Sequence, residues 1–394
     1  RAEPHRGRYA MTTLRDRARQ VMPGGNTRST LFVSPHPPYA VKGVGCRVVD
    51  VHGHEVIDCN NNYTALLHGH AHPELVSVAQ AAVAEGSAFG LPTESEVAFA
   101  ELLRDRTGLP SWRFCNSGTE AVMMAVRGAR AYTGRDLIVR FSGSYHGTYD
   151  AVVDVSAPGV PGDVKDSVLT LPQGDEPAFR EAMRLHGSTV AAVLIDLMPN
   201  RAGLRPAAQP FVDLVRAETT KHGALLVIDE VITLRLGLGG LQRQYGVVPD
   251  MTTVGKIIGG GFPAGGVGGR REVLDAFSPL GQGTVSWGGT FSANPVTMRT
   301  GAAALRMFNQ AALDALNARG DGLRTRLQER GVKVSGSGSL VRLLLADAEP
   351  AWWRLYERGV LVGTNGLMAL STAMDDADVD AVHDAVLDAL EMSA

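Results

Sequence analysis

Two acidic residues close an apolar run in Leu225-Leu226-Val227-Ile228-Asp229-Glu230, and a lysine follows in Val254-Gly255-Lys256-Ile257-Ile258-Gly259-Gly260-Gly261. Four apolar residues ending in charge read as a buried parallel strand. In open α/β sheets ligands gather at the carboxyl ends of the strands, so Asp229 points to where chemistry would occur. Lys256 stands between apolar residues and a glycine run, a setting in which loss of water makes an amine nucleophilic at neutral pH. The glycines beside it let the backbone approach a bound group closely. A carboxylate that could hold a pyridinium nitrogen and a lysine that could form a Schiff base together point to pyridoxal 5'-phosphate. Either residue alone has a plainer reading, a strand-capping aspartate or a solvated loop lysine.

A third feature favours the pair. Trp112-Arg113-Phe114-Cys115 reads as a short strand, then come Asn116-Ser117-Gly118-Thr119-Glu120 and a helical stretch from Ala121 to Tyr132. Amide groups and the dipole at such a helix start form an anion site, to which Ser117 and Thr119 add hydroxyl donors. Simple capping by Ser117 or Thr119 needs the same residues and is compatible with it. An apolar strand ending in Asp-Glu also resembles the metal-holding strand of a P-loop ATPase. That assignment requires Gly-Lys followed by Ser or Thr, and here Gly255-Lys256 is followed by Ile257.

These residues need a scaffold. Leu137–Phe141 and Val190–Ile195 read as further buried strands, the first leading to Ser142-Gly143-Ser144-Tyr145-His146-Gly147 and the second to Asp196. Tyr145, beside glycines at a strand end, could stack on a flat heterocycle or merely cover the sheet edge. A helix is expected over Phe211–His222, and the alternation of strand and helix argues for an α/β fold, a mostly parallel sheet covered on both faces. Leu14–Val21 reads as a short charged helix, broken at Met22-Pro23-Gly24-Gly25-Asn26. Arg28 follows in an extended segment, and Val41–Cys59 reads as a small antiparallel meander. A helix is expected from Pro73 through Ala84. Gly283–Pro295 is a glycine-rich loop leading into a helix over Val296–Phe308. A smaller α+β lobe follows, with a helix at Leu313–Arg330, strands at Leu340–Leu345 and around Val360–Val362, and then the segment Leu367–Ser371 and a closing helix at Asp376–Leu390. We therefore expect residues 1–60 to be the N-terminal segment of a small domain, 61–297 a large domain, and 298–394 the C-terminal small domain.

The bulk composition bounds the function classes. With 394 residues, 44% apolar and 20% charged, the chain resembles an ordinary globular enzyme of two lobes. A net charge of −3 gives no reason to expect nucleic acid or an anionic membrane as partner. Cys46, Cys59 and Cys115 lack metal-ligand spacing and read as reduced thiols of a cytoplasmic protein. No apolar run approaches the roughly 20 residues of a membrane span. His68, His70 and His72 alternate in a Gly/Pro-bounded loop without a Cys or acidic ligand at finger spacing, so no metal is expected.

The motifs resemble those of a known family. Asn116-Ser117-Gly118-Thr119-Glu120-Ala121, Tyr145-His146-Gly147, Asp229-Glu230-Val231, Gly255-Lys256 and Gly289-Thr290-Phe291 occur in the order and context of class III aminotransferases, which are fold-type I pyridoxal-phosphate enzymes. The resemblance runs from Met22 onward and is to the branch of glutamate-1-semialdehyde aminomutase and the β-phenylalanine aminotransferases. Met22-Pro23-Gly24-Gly25-Asn26-Thr27-Arg28-Ser29 is especially similar to the latter. It implies that Lys256 forms the Schiff base and shuttles the proton, and that Asp229 pairs with the pyridine nitrogen. Val231 and Tyr145 would flank the ring, with His146 beside them. Ser117, Gly118 and Thr119 would hold the phosphate. Thr290 would reach the phosphate site of a partner subunit, so a homodimer is implied. Arg28 would hold the substrate carboxylate, with Tyr63 also at the substrate.

Departures from the pattern bear on substrate. Where relatives carry Glu-Pro after a strand, this chain reads Ile195-Asp196-Leu197-Met198-Pro199-Asn200. Where the β-phenylalanine enzymes place an arginine near the C-terminus, it reads Val362-Gly363-Thr364-Asn365-Gly366. The expected activity is transfer of an amino group from an amino acid, a β-amino acid among the candidates, to a keto acid or aldehyde. The alternatives are a glutamate-1-semialdehyde-type 2,1-aminomutase and a pyridoxal-phosphate-binding protein without turnover.

Overall fold

The computed structural model describes residues 13–281 and 284–391. The first twelve residues, the first position of the Gly283–Pro295 loop and the last three residues of the C-terminal lobe lie outside the described residues. A seven-stranded sheet forms the centre, in the order Ser111–Cys115, Gly265–Gly269, Met251–Gly255, Leu225–Asp229, Val190–Ile195, Leu137–Phe141, Val168–Leu171. Only Gly265–Gly269 runs antiparallel to its neighbours. Val190–Ile195 and Leu225–Asp229 are buried along their whole length, as continuous apolar runs covered on both faces must be. One face carries the Phe141, Phe179 and Phe211 rings at centroid distances of 5.3 to 6.0 Å. The other face takes the helix Gly118–Thr133 through Ala121, Val122 and Ala125.

The antiparallel strand Gly265-Gly266-Val267-Gly268-Gly269 escaped the sequence reading, because glycine disfavours strands on propensity alone. Packing explains it. A Cβ on Gly265 would lie 2.0 Å from the Ser117 carbonyl oxygen, and one on Gly268 would lie 2.5 Å from the Trp112 ring. Close backbone approach outweighs propensity here. The helix Glu94–Thr107 was also unanticipated. Its capping box of Thr93 and Glu96 sets the start, and Phe99 and Leu103 are fully buried.

The meander forms as expected from Ala40–Val44, Arg47–Asp50 and Glu55–Asp58, and Val360–Leu361 pairs parallel to the last of these. The N-terminal meander and a strand from the last third of the chain thus share one sheet. Val334–Ser337, Leu340–Leu343 and Leu367–Ala369 make a third, antiparallel sheet. Arg235, fully buried, ties these parts together by donating to the Ser339 hydroxyl at 3.0 Å, the Thr64 carbonyl at 3.2 Å and the Leu370 carbonyl. Burial lowers its pKa to about 9. His68 spends both ring nitrogens, on the Thr372 hydroxyl and the Ala304 carbonyl. Among the described residues no His/Cys/Asp/Glu group is arranged to hold a metal ion, and no helix is long and apolar enough to cross a membrane. Cys46, Cys59 and Cys115 are free and buried.

Candidate active site

Five strands of the central sheet end on one side, and each delivers side chains to a single cavity of about 370 Å³. Ser111–Cys115 leads to Ser117, Gly118 and Thr119; Leu137–Phe141 leads to Tyr145 and His146. Val190–Ile195 delivers Asp196, Leu225–Asp229 delivers Asp229 and Val231, and Met251–Gly255 delivers Lys256. Hydrophobic runs place these strands side by side, so the polar residue that ends each run faces a common point.

Asp229 is held rigidly. Its Oδ1 accepts from the Val231 amide at 3.0 Å and the Thr253 hydroxyl at 3.1 Å, and its Oδ2 lies 2.7 Å from His146 Nδ1. The carboxylate only accepts, so that imidazole nitrogen is the donor. His146 thus lines the cavity while its Nδ1 serves Asp229. Glu230 turns the other way and takes the Leu241 and Gln242 amides at 3.1 and 2.6 Å. Alternation along an extended chain explains why one of two adjacent acids serves the site and the other the scaffold.

Lys256 follows a strand end in left-handed backbone, with φ of 51°. Such a conformation is costly for a residue with a side chain and persists only where surrounding structure enforces it. Dehydration lowers the Lys256 pKa, against the opposing pull of Asp229 and Asp196. The amine is thereby made readier to act as a nucleophile. Asp196 accepts from the Met198 amide at 2.8 Å, and burial followed by the Asp229 charge pushes its pKa up to about 7.

The anion cradle starts the helix Gly118–Thr133, three residues earlier than the sequence indicated, because Ser117 caps it by accepting from the Glu120 amide at 3.1 Å. The Gly118 and Thr119 amides, at the first positions of the helix, have no intrahelical acceptor. Glycine is required close by: a Cβ on Gly147, at φ of 101°, would lie 2.4 Å from the Thr119 hydroxyl, and one on Gly118 would meet Val231 at 3.0 Å. Amide and hydroxyl donors at one end, a held carboxylate and a dehydrated lysine fit a phosphorylated pyridine aldehyde.

At the mouth, Arg28 donates through Nη1 to Asn62 Oδ1 at 2.7 Å. Asn62 and Tyr63 belong to a left-handed turn, Asn61 to Thr64, with φ between 48° and 74°. The Tyr63 hydroxyl donates to the Thr30 carbonyl, which also accepts from the Thr364 hydroxyl at 3.1 Å. Asn62 was not singled out from the sequence; the only hint was the Asn60-Asn61-Asn62 run, since asparagine tolerates the left-handed region. Tyr145 is partly exposed, and the Arg201 guanidinium stands 4.2 Å from its ring centroid. Thr290 is not brought into this cavity. It lines a separate groove with Phe89, Leu91 and Trp287.

Comparison with known proteins agrees with this geometry. The family model described as "Aminotransferase class-III" matches residues 33–390. The glutamate-1-semialdehyde 2,1-aminomutase of Methanothermobacter thermautotrophicus is 37% identical over 350 residues, covering 84% of this chain and 83% of that protein. An omega-transaminase from Sphaerobacter thermophilus superposes with a TM-score of 0.93 at 42% identity, covering 96% of each chain. The β-phenylalanine aminotransferase from Variovorax paradoxus gives 0.88 at 34%, over 94% of this chain and 91% of that one. A transaminase solved with pyridoxal phosphate bound gives 0.92 at 38%, over 97% and 98%. With its cradle, facing acid and lysine set on a mostly parallel sheet, this chain belongs to the class III aminotransferases, pyridoxal-phosphate enzymes of fold type I.

Proposed function

We propose that the protein transfers an amino group from a carboxylate-bearing amine, a β-amino acid being a fitting donor, to a keto acid or aldehyde. The observation that carries this reading is one cavity with Lys256 and Asp229 within it and Arg28 at its mouth. When bound, pyridoxal phosphate supplies an electron-withdrawing ring that makes the substrate's C–H bond acidic. Lys256 would hold the cofactor covalently, and its Nζ would carry the proton removed from the amine-bearing carbon. Asp229, with His146 behind it, keeps the pyridine nitrogen protonated. Val231 and Tyr145 flank the ring, while Ser117, Gly118 and Thr119 hold the phosphate. Arg28 receives the substrate carboxylate beside Tyr63, a guanidinium being able to give a carboxylate paired hydrogen bonds.

Thr290 is assigned to the phosphate site of a second copy. Exposed Phe89 and Leu91 in its groove, with exposed Phe291 next to Thr290 in sequence, support a homodimer that covers them. The small domain is assigned residues 1–60 and 298–394 around the large domain 61–297; the sheet shared by the two chain ends supports that division. Three unpaired, buried cysteines are in keeping with a cytoplasmic location.

A second reading, a 2,1-aminomutase, has the printed name of several relatives in its favour. The experiment is to add amines to the cofactor-loaded protein and follow conversion of the cofactor from its aldehyde to its amine form by absorbance. Conversion with donors and reversal by a separate keto acid support the aminotransferase. Turnover that needs no second substrate supports the aminomutase, and no conversion with any amine leaves a binding protein. Lys256→Ala should abolish both the absorbance band and the conversion.

A further inference from the structure

Arg201 lies outside the reaction cavity, yet its guanidinium stands over the Tyr145 ring, 4.2 Å from the centroid. Tyr145 lines the cavity and Arg201 does not, so the charge approaches the ring from outside. Tyr145 is 39% exposed. A side chain that open to water changes rotamer freely unless a neighbour holds it.

The backbone that carries Arg201 is tightly placed. It belongs to the turn Asn200–Ala202, in which the Ala202 and Leu204 amides donate to the Pro199 carbonyl at 3.2 and 3.0 Å. Leu204 closes the turn in left-handed backbone, at φ of 52°, with its side chain fully buried. That conformation persists in a leucine only where the surroundings enforce it. Two groups of the C-terminal sheet grip the turn from the far side. Arg342 Nη1 donates to the Asn200 carbonyl at 2.5 Å and to the Asn200 side-chain oxygen at 2.7 Å, and the Ser335 hydroxyl donates to the Gly203 carbonyl. Toward Tyr145 the packing is close as well: a Cβ on Gly143 would lie 2.7 Å from the Ala202 Cβ. The segment that ends in this turn starts at Asp196, in the cavity itself.

We propose that Arg201 is a positioning residue, which pins the Tyr145 ring at the cavity wall through a cation–π contact and so prepares it to meet the cofactor. A ring that is already held loses less freedom when the cofactor arrives, and affinity rises with no direct contact from Arg201. The proposal rests on the reading that Tyr145 flanks the cofactor ring, and its test separates that reading from the role of Arg201.

The test uses the full chain labelled with 3-fluorotyrosine, before and after loading with pyridoxal phosphate. The Tyr145 fluorine resonance is the one lost in Tyr145→Phe. Arg201→Met keeps the length of the side chain and removes its charge. It should shift and broaden that resonance in cofactor-free protein and weaken cofactor binding about 2–5-fold, the range of an exposed cation–π contact. Arg201→Lys, which keeps a cation over the ring, should restore most of the affinity and the parent resonance. In a Tyr145→Leu background Arg201→Met should have no further effect on the cofactor. An unmoved fluorine resonance, or an equal loss of affinity with and without the Tyr145 ring, would overturn the role of Arg201. Unchanged cofactor affinity in Tyr145→Leu alone would overturn the proposal from the other side, by removing Tyr145 from the cofactor, and the fluorine spectra would tell the two failures apart.

Discussion

His146 Nδ1 lies 2.7 Å from Asp229 Oδ2, and His146 is completely withdrawn from solvent. The imidazole fixes the direction of the acid proposed to face the pyridine nitrogen. Asp229→Asn should therefore lower kcat on the order of 10²–10³-fold while the cofactor still binds. His146→Phe should act in the same direction with a smaller loss. Stopped-flow half-reactions beside cofactor titrations measure both, and a loss confined to cofactor affinity would refute the assignment.

Arg28 reaches the mouth of the cavity as the partner of Asn62. Arg28→Ala should weaken carboxylate-bearing substrates by about 1.5–3 kcal/mol, as for a charged hydrogen bond. Asn62→Gly keeps a left-handed backbone at no strain but removes the acceptor. Its KM should rise for carboxylate substrates only. Equal losses for amines without a carboxylate would show that Asn62 supports the turn rather than Arg28.

The glycine strand bears directly on the cradle. Because a Cβ on Gly265 would stand 2.0 Å from the Ser117 carbonyl oxygen, Gly265→Ala must displace the loop that carries Ser117, Gly118 and Thr119. Cofactor affinity should fall at least about tenfold, the equivalent of 1.4 kcal/mol. Unaltered affinity in an equilibrium titration would mean that the loop does not hold the phosphate.

Asp196 makes stability depend on pH. Burial and Asp229 raise its pKa from 3.8 to about 7, so between those values the folded chain keeps a proton that the unfolded chain has lost. Its favourable contribution is complete below pH 3.8 and disappears as pH rises through 7. Asp196→Asn should consequently raise Tm over the parent more at pH 8 than at pH 5, in protein without added cofactor. Glu230 is raised to about 7 chiefly by burial and further by the Asp196 charge, so losing that charge in Asp196→Asn acts in the same direction. An equal difference in Tm at the two pH values would contradict the raised pKa.

Local signals carried much of this molecule. Val190–Ile195 forms where a continuous apolar run stands, Leu137–Phe141 where an apolar run is interrupted only by Arg140, and the helix Leu14–Val21 ends at the Met22-Pro23 break. Ser117 was legible as a cap because capping acts within three residues. Other features had no local signal. Gly265–Gly269 is a strand on account of neighbours remote in sequence, and the Arg28–Asn62 pair joins residues from two unrelated segments. Thr290 stood in a recognisable motif whose resemblance already implied a role toward a partner subunit, and it lies outside the Lys256 cavity in the groove beside Trp287.

The order of residues alone thus determined the kind of chemistry, since a lysine among glycines, an acid ending an apolar strand and a capped helix start are each defined by adjacent residues. Tertiary structure decided which acid of Asp229 and Glu230 faces the cavity, what orients it, and that Arg28 meets Asn62 at its mouth. Those outcomes depend on packing between segments far apart in the chain, and no run of neighbouring residues encodes such a distance.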